Sequence, residues 1–327
     1  MKSFKQPHEG ARVIPQSATF SQADYLKALL VVIIWGLNFV VMKIGLPGLG
    51  PMLLGALRFA AASLPFIFWI NRPTVPWRFI VLYGLVQGVG QFGLLFTGIQ
   101  LGMTAGMASV VMQAQAFFTL LLALPFLGER ARRAQWAGLL IAAGGLGLIA
   151  MAHGDHPGQM TLVGFLLTLG AALMWASSNL VIRLMGRVAP DYDPMAFIVW
   201  SSLVPVLPFL GLAIAADGWL ATSKALLALG WRQYFVVAYL AFLATLWAYT
   251  LWTDLIRRHP VGKVAPYSLL VPVVGLAAAS TVFSESLEAM QWLGTLAILL
   301  GLVVNQFGER LIATAGRLLS LRDRHAR

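Results

Sequence analysis

Residues 83–146 can be laid over residues 239–302 at a constant offset of 156 without a gap, so this chain repeats itself. Tyr83 falls on Tyr239, Thr97 on Thr253, Gly106 on Gly262, Glu129 on Glu285, Gln135-Trp136 on Gln291-Trp292, and Gly138 and Gly145 on Gly294 and Gly301. Both copies consist of long apolar runs. A helix rising 1.5 Å per residue needs ~20 apolar residues to cross a hydrocarbon core of ~30 Å. Ten runs reach about that length: 26–46, 51–70, 78–98, 103–127, 134–152, 161–182, 194–215, 233–256, 262–283 and 290–308. They are continuously apolar, with no alternation of period two, which predicts spanning helices rather than barrel strands. Five spans per copy is an odd number, so the second copy enters the bilayer from the opposite side. The expected fold is an all-α integral membrane protein with ten transmembrane helices in two inverted five-helix repeats, a transporter plan that holds substrate near the midplane between the halves. The expected divisions are a tail at 1–24, repeats at 25–154 and 155–308, and a basic tail at 309–327.

Composition and charge agree with this plan. The chain is 59% hydrophobic and 11% charged and has no cysteine, which excludes disulfides, thiolate catalysis and thiolate metal sites. The first 24 residues carry no apolar core, so no cleaved signal peptide is expected. Of 23 Lys and Arg, only Lys224 and Arg232 fall in opposite-side loops and only Lys43 and Arg58 within spans; the rest lie in the tails and the even-numbered loops. The positive-inside rule then places both termini in the cytoplasm. The net charge of +11 follows from this topology. Basic residues scattered over several short segments do not make a nucleic-acid-binding face, and no ATP-binding motif is present. Membrane lipids and a small-molecule substrate are the expected partners. Residues 309–327 read either as an interfacial amphipathic helix meeting anionic headgroups or as a frayed basic tail.

Titratable groups are nearly absent from the spans, which argues against an enzyme and gives no cofactor site. His153, Asp155 and His156 form an external cluster that reads as a surface turn more readily than as a metal site, because no further shell of ligands accompanies it. Gly84, Gly88, Gly90 and Gly93 lack the strand and lysine of a phosphate loop and suit close helix packing. The polar residues that do lie within spans are mostly amides and indoles. Trp35 with Asn38, and Trp175 with Asn179, are three and four apart, so each pair shares a helical face. One such face per copy can line a substrate site or glue helices together. Gln91 lies on a face with Gln87 and corresponds through the offset to Trp247. Gln113 and Gln115 are about 200° apart around a helix, so only one is expected to face a cavity, and Gln115 is the more central. Pro272 interrupts its span and, with Ser268, either lines the cavity or makes a packed kink. Arg58 lies well inside a span, which makes it either a functional group or a structural lock to carbonyls. Lys43 is close enough to the external surface to snorkel.

The segments Trp35 to Leu46 (WGLNFVVMKIGL), Gln113 to Arg130 (QAQAFFTLLLALPFLGER) with Gln135 to Gly138, and Val264 to Leu276 (VAPYSLLVPVVGL) resemble the EamA family of the drug/metabolite transporter superfamily. The resemblance covers residues 25–308. It implies ten helices in inverted repeats, a central cavity, alternating access, and export of small metabolites or amino acids across a bacterial inner membrane. Gly128 fits the family's end of the fourth helix as a C-cap, whereas the second copy has Ser284 there, a departure that bears only on the local cap. The function expected is a secondary transporter exporting a small polar zwitterion such as cysteine or O-acetylserine. Its contacts would come from Trp35, Asn38, Arg58, Gln91, Gln115, Trp175, Asn179, Trp247, Ser268 and Pro272. A nucleotide-sugar or lipid-linked carrier is the alternative within transport, but it would call for several cavity cations where only Arg58 is available. A membrane-embedded enzyme is disfavoured by the missing histidine and carboxylate constellations.

Overall fold

The computed structural model describes residues 20–154, 159–259 and 264–325. Among these every regular element is helical. In chain order the membrane helices are α1 (Gln22–Gly45), α2 (Pro51–Ser63), α3 (Trp77–Gln100), α4 (Ala105–Leu127), α5 (Arg133–Met151), α6 (Leu162–Gly186), α7 (Pro194–Asp217), α8 (Trp231–Leu255), α9 (Pro266–Phe283) and α10 (Ala289–His325). All but α2 are long and apolar enough to span a bilayer. The expected run 51–70 is helical only to Ser63 because Pro65 has no N–H to continue the ladder. Hydrogen-bonded turns carry the chain onward, with the Ile67 N–H donating to Ser63 O and the Ile70 N–H to Phe66 O. Among the described residues the architecture is therefore ten membrane helices in two inverted repeats, with α2 shortened.

Helix starts follow local chemistry. The Ser21 hydroxyl accepts from the Asp24 N–H at 3.2 Å while the Asp24 carboxylate accepts from the Ser21 N–H at 3.0 Å, a capping box that opens α1. Asp193 accepts from the Met195 and Ala196 N–H groups ahead of Pro194, and the Thr161 hydroxyl accepts from Gly164. A short helix, Trp219–Leu227, joins α7 to α8. Asp155 and His156 of the proposed external cluster lie outside the described residues; the His153 ring sits 2.8 Å from Ala150 O. Backbone helix runs without a break into the C-terminal segment, whose side chains beyond Gly308 are likewise outside the description.

Departures from α-helix recur at equivalent places in the two copies. Within α3 the ladder widens to π-helical turns over Gly84–Phe92, and within α8 over Tyr239–Trp247, one residue from where the offset of 156 would put them. Within α4 it tightens to 3₁₀ over Met112–Ala114, and 3₁₀ turns over Ala265–Leu270 lead into α9. Gly128 ends α4 in the left-handed region at φ 67°. Its counterpart Ser284 ends α9 at φ 55° and is the only non-glycine residue with positive φ among those described. Position 284 thus keeps the cap geometry without the glycine.

The helices α5 and α10 show the inverted symmetry in their packing. A Cβ added to Gly138 would meet Gly301 O at 2.5 Å, and one on Gly301 would meet Gly138 O at 2.6 Å. Gly145 and Gly294 oppose each other in the same way, at 2.7 and 2.6 Å. The offset relates Gly138 to Gly294 and Gly145 to Gly301. Each glycine therefore rests on the counterpart of the other, as a twofold axis between antiparallel helices requires. Small residues let the backbones approach this closely where lipid provides no hydrophobic drive for association.

Candidate functional site

Both copies contribute to a central cavity of about 360 Å³. Trp35, Asn38, Phe39 and Met42 line it from α1, Arg58 from α2, and Tyr83, Gln91 and Phe92 from α3. Ser109, Gln113 and Gln115 come from α4, Trp175 and Asn179 from α6, Tyr249 and Trp252 from α8, and Ser268 and Val271 from the start of α9. Eight of the ten residues expected from the sequence are thereby brought together: Trp35, Asn38, Arg58, Gln91, Gln115, Trp175, Asn179 and Ser268.

Irregular backbone positions several of them. The Trp35 indole Nε1 donates to Ala244 O at 3.1 Å, within the π-helical part of α8, where wider turns leave carbonyls free for other donors. The same indole meets Tyr249 edge-on, with centroids 5.2 Å apart, and lies 5.5 Å from Trp252. The Gln87 amide donates to the Tyr249 hydroxyl at 3.2 Å, and Ser178 on α6 closes a short hydrogen bond to the Gln87 carbonyl oxygen. Across the copies, Asn179 Nδ2 donates to Gln115 Oε1 at 3.0 Å and to Thr119 Oγ1 at 3.2 Å. The amide of Asn179 is accordingly committed to joining α6 to α4. Asn38 is freer: among the described residues Nδ2 makes only a long contact to Met42 Sδ at 3.9 Å, and Oδ1 has no partner. Gln91 Oε1 is also buried without a partner among the described residues.

Arg58 is 1% exposed. Its Nη2 and Nε donate to Thr245 Oγ1 at 2.9 and 3.3 Å, and its guanidinium lies 3.9 Å from the centre of the Phe92 ring. The lock expected for Arg58 is thus made to a threonine hydroxyl on the π-helical turn rather than to carbonyls, and Nη1 is left without a partner among the described residues.

Two expected residues lie elsewhere, and one excluded residue belongs. Trp247 is 48% exposed on the outer surface, and Ala244 and Tyr249 face the cavity instead. The π-helical stretch of α8 lies one residue out of register with that of α3, so the offset from Gln91 does not carry side-chain direction. Pro272 is buried in helix packing. Because the 3₁₀ turns end just before it, it occupies the first turn of the α-helical segment, and Ser268 O, the carbonyl its missing N–H cannot engage, takes the Val271 N–H instead and lies within reach of Gln113. Gln113 lines the cavity together with Gln115, and its Nε2 lies 3.4 Å from Ser268 O. The 3₁₀ turns between the two advance 120° per residue, which narrows their separation to about 120°. Tyr83, Tyr249, Trp252 and Phe92 were not anticipated, because aromatics inside an apolar run carry no signal that separates cavity from core. Among the described residues no group of three His, Cys, Asp or Glu could hold a metal.

The sequence profile of the EamA-like transporter family matches residues 23–151 and 162–306. A Salmonella typhimurium (strain LT2) protein described as a probable amino-acid metabolite efflux pump is 42% identical over 296 residues, covering 90% of this chain and 98% of that one. An Escherichia coli (strain K12) protein of the same description is 40% identical over 291 residues, with 89% and 97% coverage. A solved crystal structure superposes with a TM-score of 0.57 at 19% identity, covering 86% of this chain and 95% of that one, which supports the same fold.

Proposed function

The chain belongs to the EamA-like transporter family, and we propose that it exports small amino-acid metabolites from the cytoplasm across the bacterial inner membrane by alternating access, with both termini cytoplasmic and repeats at 25–154 and 155–308. The observation that carries this reading is the central cavity at the junction of the copies, where Trp35 with Asn38 and Trp175 with Asn179 supply one indole and one amide from each. Indoles form flat apolar walls, and amides offer both donors and acceptors to a ligand bearing both charge signs. Two relatives with more than nine-tenths of their length aligned bear the name of amino-acid metabolite efflux pumps.

A nucleotide-sugar carrier would need several cations against its phosphates, and among the described residues Arg58 is the only one lining the cavity. No Asp, Glu or His among the described residues lines it either. Movement down the substrate gradient, or exchange, suits such a site better than obligatory proton carriage by a side chain.

The experiment is uptake and exchange of labelled O-acetylserine and cysteine by purified protein in liposomes. Transport of neither, while a labelled nucleotide sugar is carried, would replace this reading with the alternative. A reporter active only in the periplasm, fused after Arg327, should stay silent.

A further inference from the structure

Arg58 is a buried cation whose charge no anion balances among the described residues. Two of its three nitrogens are spent on Thr245 Oγ1, whose own hydrogen goes to Leu240 O at 2.8 Å, so that hydroxyl has nothing further to give. The face of the guanidinium is covered by Phe92, with Phe59 further away at 5.7 Å. Nη1 alone is left over, buried and without a hydrogen-bond partner among the described residues, on a residue that lines the cavity. A desolvated charge without a counterion is costly, and a fixed, planar guanidinium with a free edge is built to receive an oxyanion.

The other unpartnered polar atoms in the cavity wall have the opposite character. Asn38 Oδ1 and Gln91 Oε1 are buried acceptors without donors. They are neutral, and an ammonium group supplies the N–H donors they lack. One free cationic edge and two free acceptors together complement a ligand with a single carboxylate and a single ammonium. The set does not complement a phosphate diester or a simple sugar.

We infer that Arg58 is the specificity-determining residue of the cavity. Its Nη1 edge receives the substrate's carboxylate, while Asn38 and Gln91 receive the ammonium, so the substrate class is the free α-amino acid and its side-chain-acylated relatives and not their carboxamides. Thr245 acts as the positioning residue that holds the guanidinium in place for this contact.

The inference rests on the transport reading above, and the test separates the two. Full-length wild type, Arg58→Gln and Arg58→Lys are reconstituted at equal abundance and assayed with labelled O-acetylserine and its carboxamide. Wild type should carry the carboxylate form at least tenfold better than the amide. Arg58→Gln should lose that preference, with the rate for O-acetylserine falling at least tenfold and the rate for the amide unchanged. Arg58→Lys, which keeps the charge without the fork, should keep a reduced preference and raise KM for O-acetylserine, and it serves as the readout if the glutamine variant fails to fold. Transport of neither compound by wild type sinks the transport reading and this inference with it. Transport by wild type with an unchanged preference in both variants, or an equal loss for both compounds, overturns the inference alone and makes Arg58 a structural lock.

Discussion

At the level of single residues, the cavity separates side chains that hold the protein together from those left free for a ligand. Asn179 spends its amide on Gln115 and Thr119, whereas Asn38 keeps its oxygen unpaired in a buried wall. The two Trp–Asn faces look equivalent in the sequence, yet this difference in partners predicts unequal roles. Asn38→Ala should lower export at least tenfold while leaving membrane abundance nearly intact, because it removes an unpaired acceptor and no structural bond. Asn179→Ala should also lower abundance, since it strands Gln115 Oε1, a loss worth about 1–3 kcal/mol. Transport rates normalised to protein detected in the membrane check both; normal export by Asn38→Ala would misplace the site. Ser284 offers a second single-residue test. A left-handed non-glycine costs about 1–2 kcal/mol, and glycine returns about 0.5–1 kcal/mol of that through the unfolded chain. Ser284→Gly should therefore gain about 0.5–1 kcal/mol, visible as a raised Tm in detergent.

At the level of elements, the spans, their number and their inverted pairing were legible in the sequence because lipid imposes one rule on every spanning segment: about twenty apolar residues in a helix. The shortening of α2 was written there too, in Pro65. The sequence concealed where helices depart from α geometry. Gly84–Phe92 and Tyr239–Trp247 look like ordinary apolar helix, since a π-helical turn is set by what packs around it rather than by its own propensity. That hidden geometry misdirected the expectations for Trp247 and Gln113, while Trp35, Asn38 and Trp175, which lie in regular α-helix, do line the cavity. The α5–α10 crossing supplies the prediction at this scale. Gly138→Leu and Gly294→Leu drive a side chain into backbone 2.5–2.6 Å away and should each collapse abundance or thermal stability. Gly144→Ala and Gly147→Ala, on the same helix α5 with nothing within 4 Å, should be tolerated. Equal tolerance of all four in a stability assay would mean the crossing is loose.

The whole molecule carries two ion pairs that the duplication relates to each other, and they are not equally made. The offset of 156 takes Glu129 to Glu285, and the step of 140 from Trp35 to Trp175 takes Lys43 to Arg183. Lys43 Nζ lies 2.7 Å from Glu285, and Arg183 Nη1 lies 2.9 Å from Glu129. In inverted repeats such counterparts belong to opposite faces, and in the orientation proposed above Lys43 and Glu285 lie outside. Only the outer carboxylate is inserted: it is 9% exposed and also accepts the Ala105 and Gly106 N–H groups at 3.0 and 2.9 Å, at the start of α4, whereas Glu129 is 49% exposed. A carboxylate on the N-terminal amides of a helix, with a cation beside it, is held by charge-assisted bonds worth about 1.5–3 kcal/mol. It ties α1 and α4 of the first copy to the α9–α10 connection of the second. This pair should therefore act as the external latch of the alternating cycle, and Glu285→Gln should shift the population toward the outward-open form by about tenfold or more. The cysteine-free chain allows a clean measurement. In a Ser109→Cys background, with the thiol lining the cavity, a membrane-impermeant maleimide added from the periplasmic side should react slowly, and several-fold faster once Glu285→Gln is added. Glu129→Gln, which frees only the exposed cytoplasmic pair, should not accelerate it. Equal labelling in all three backgrounds would show that the buried carboxylate anchors the outer loop without gating the cavity.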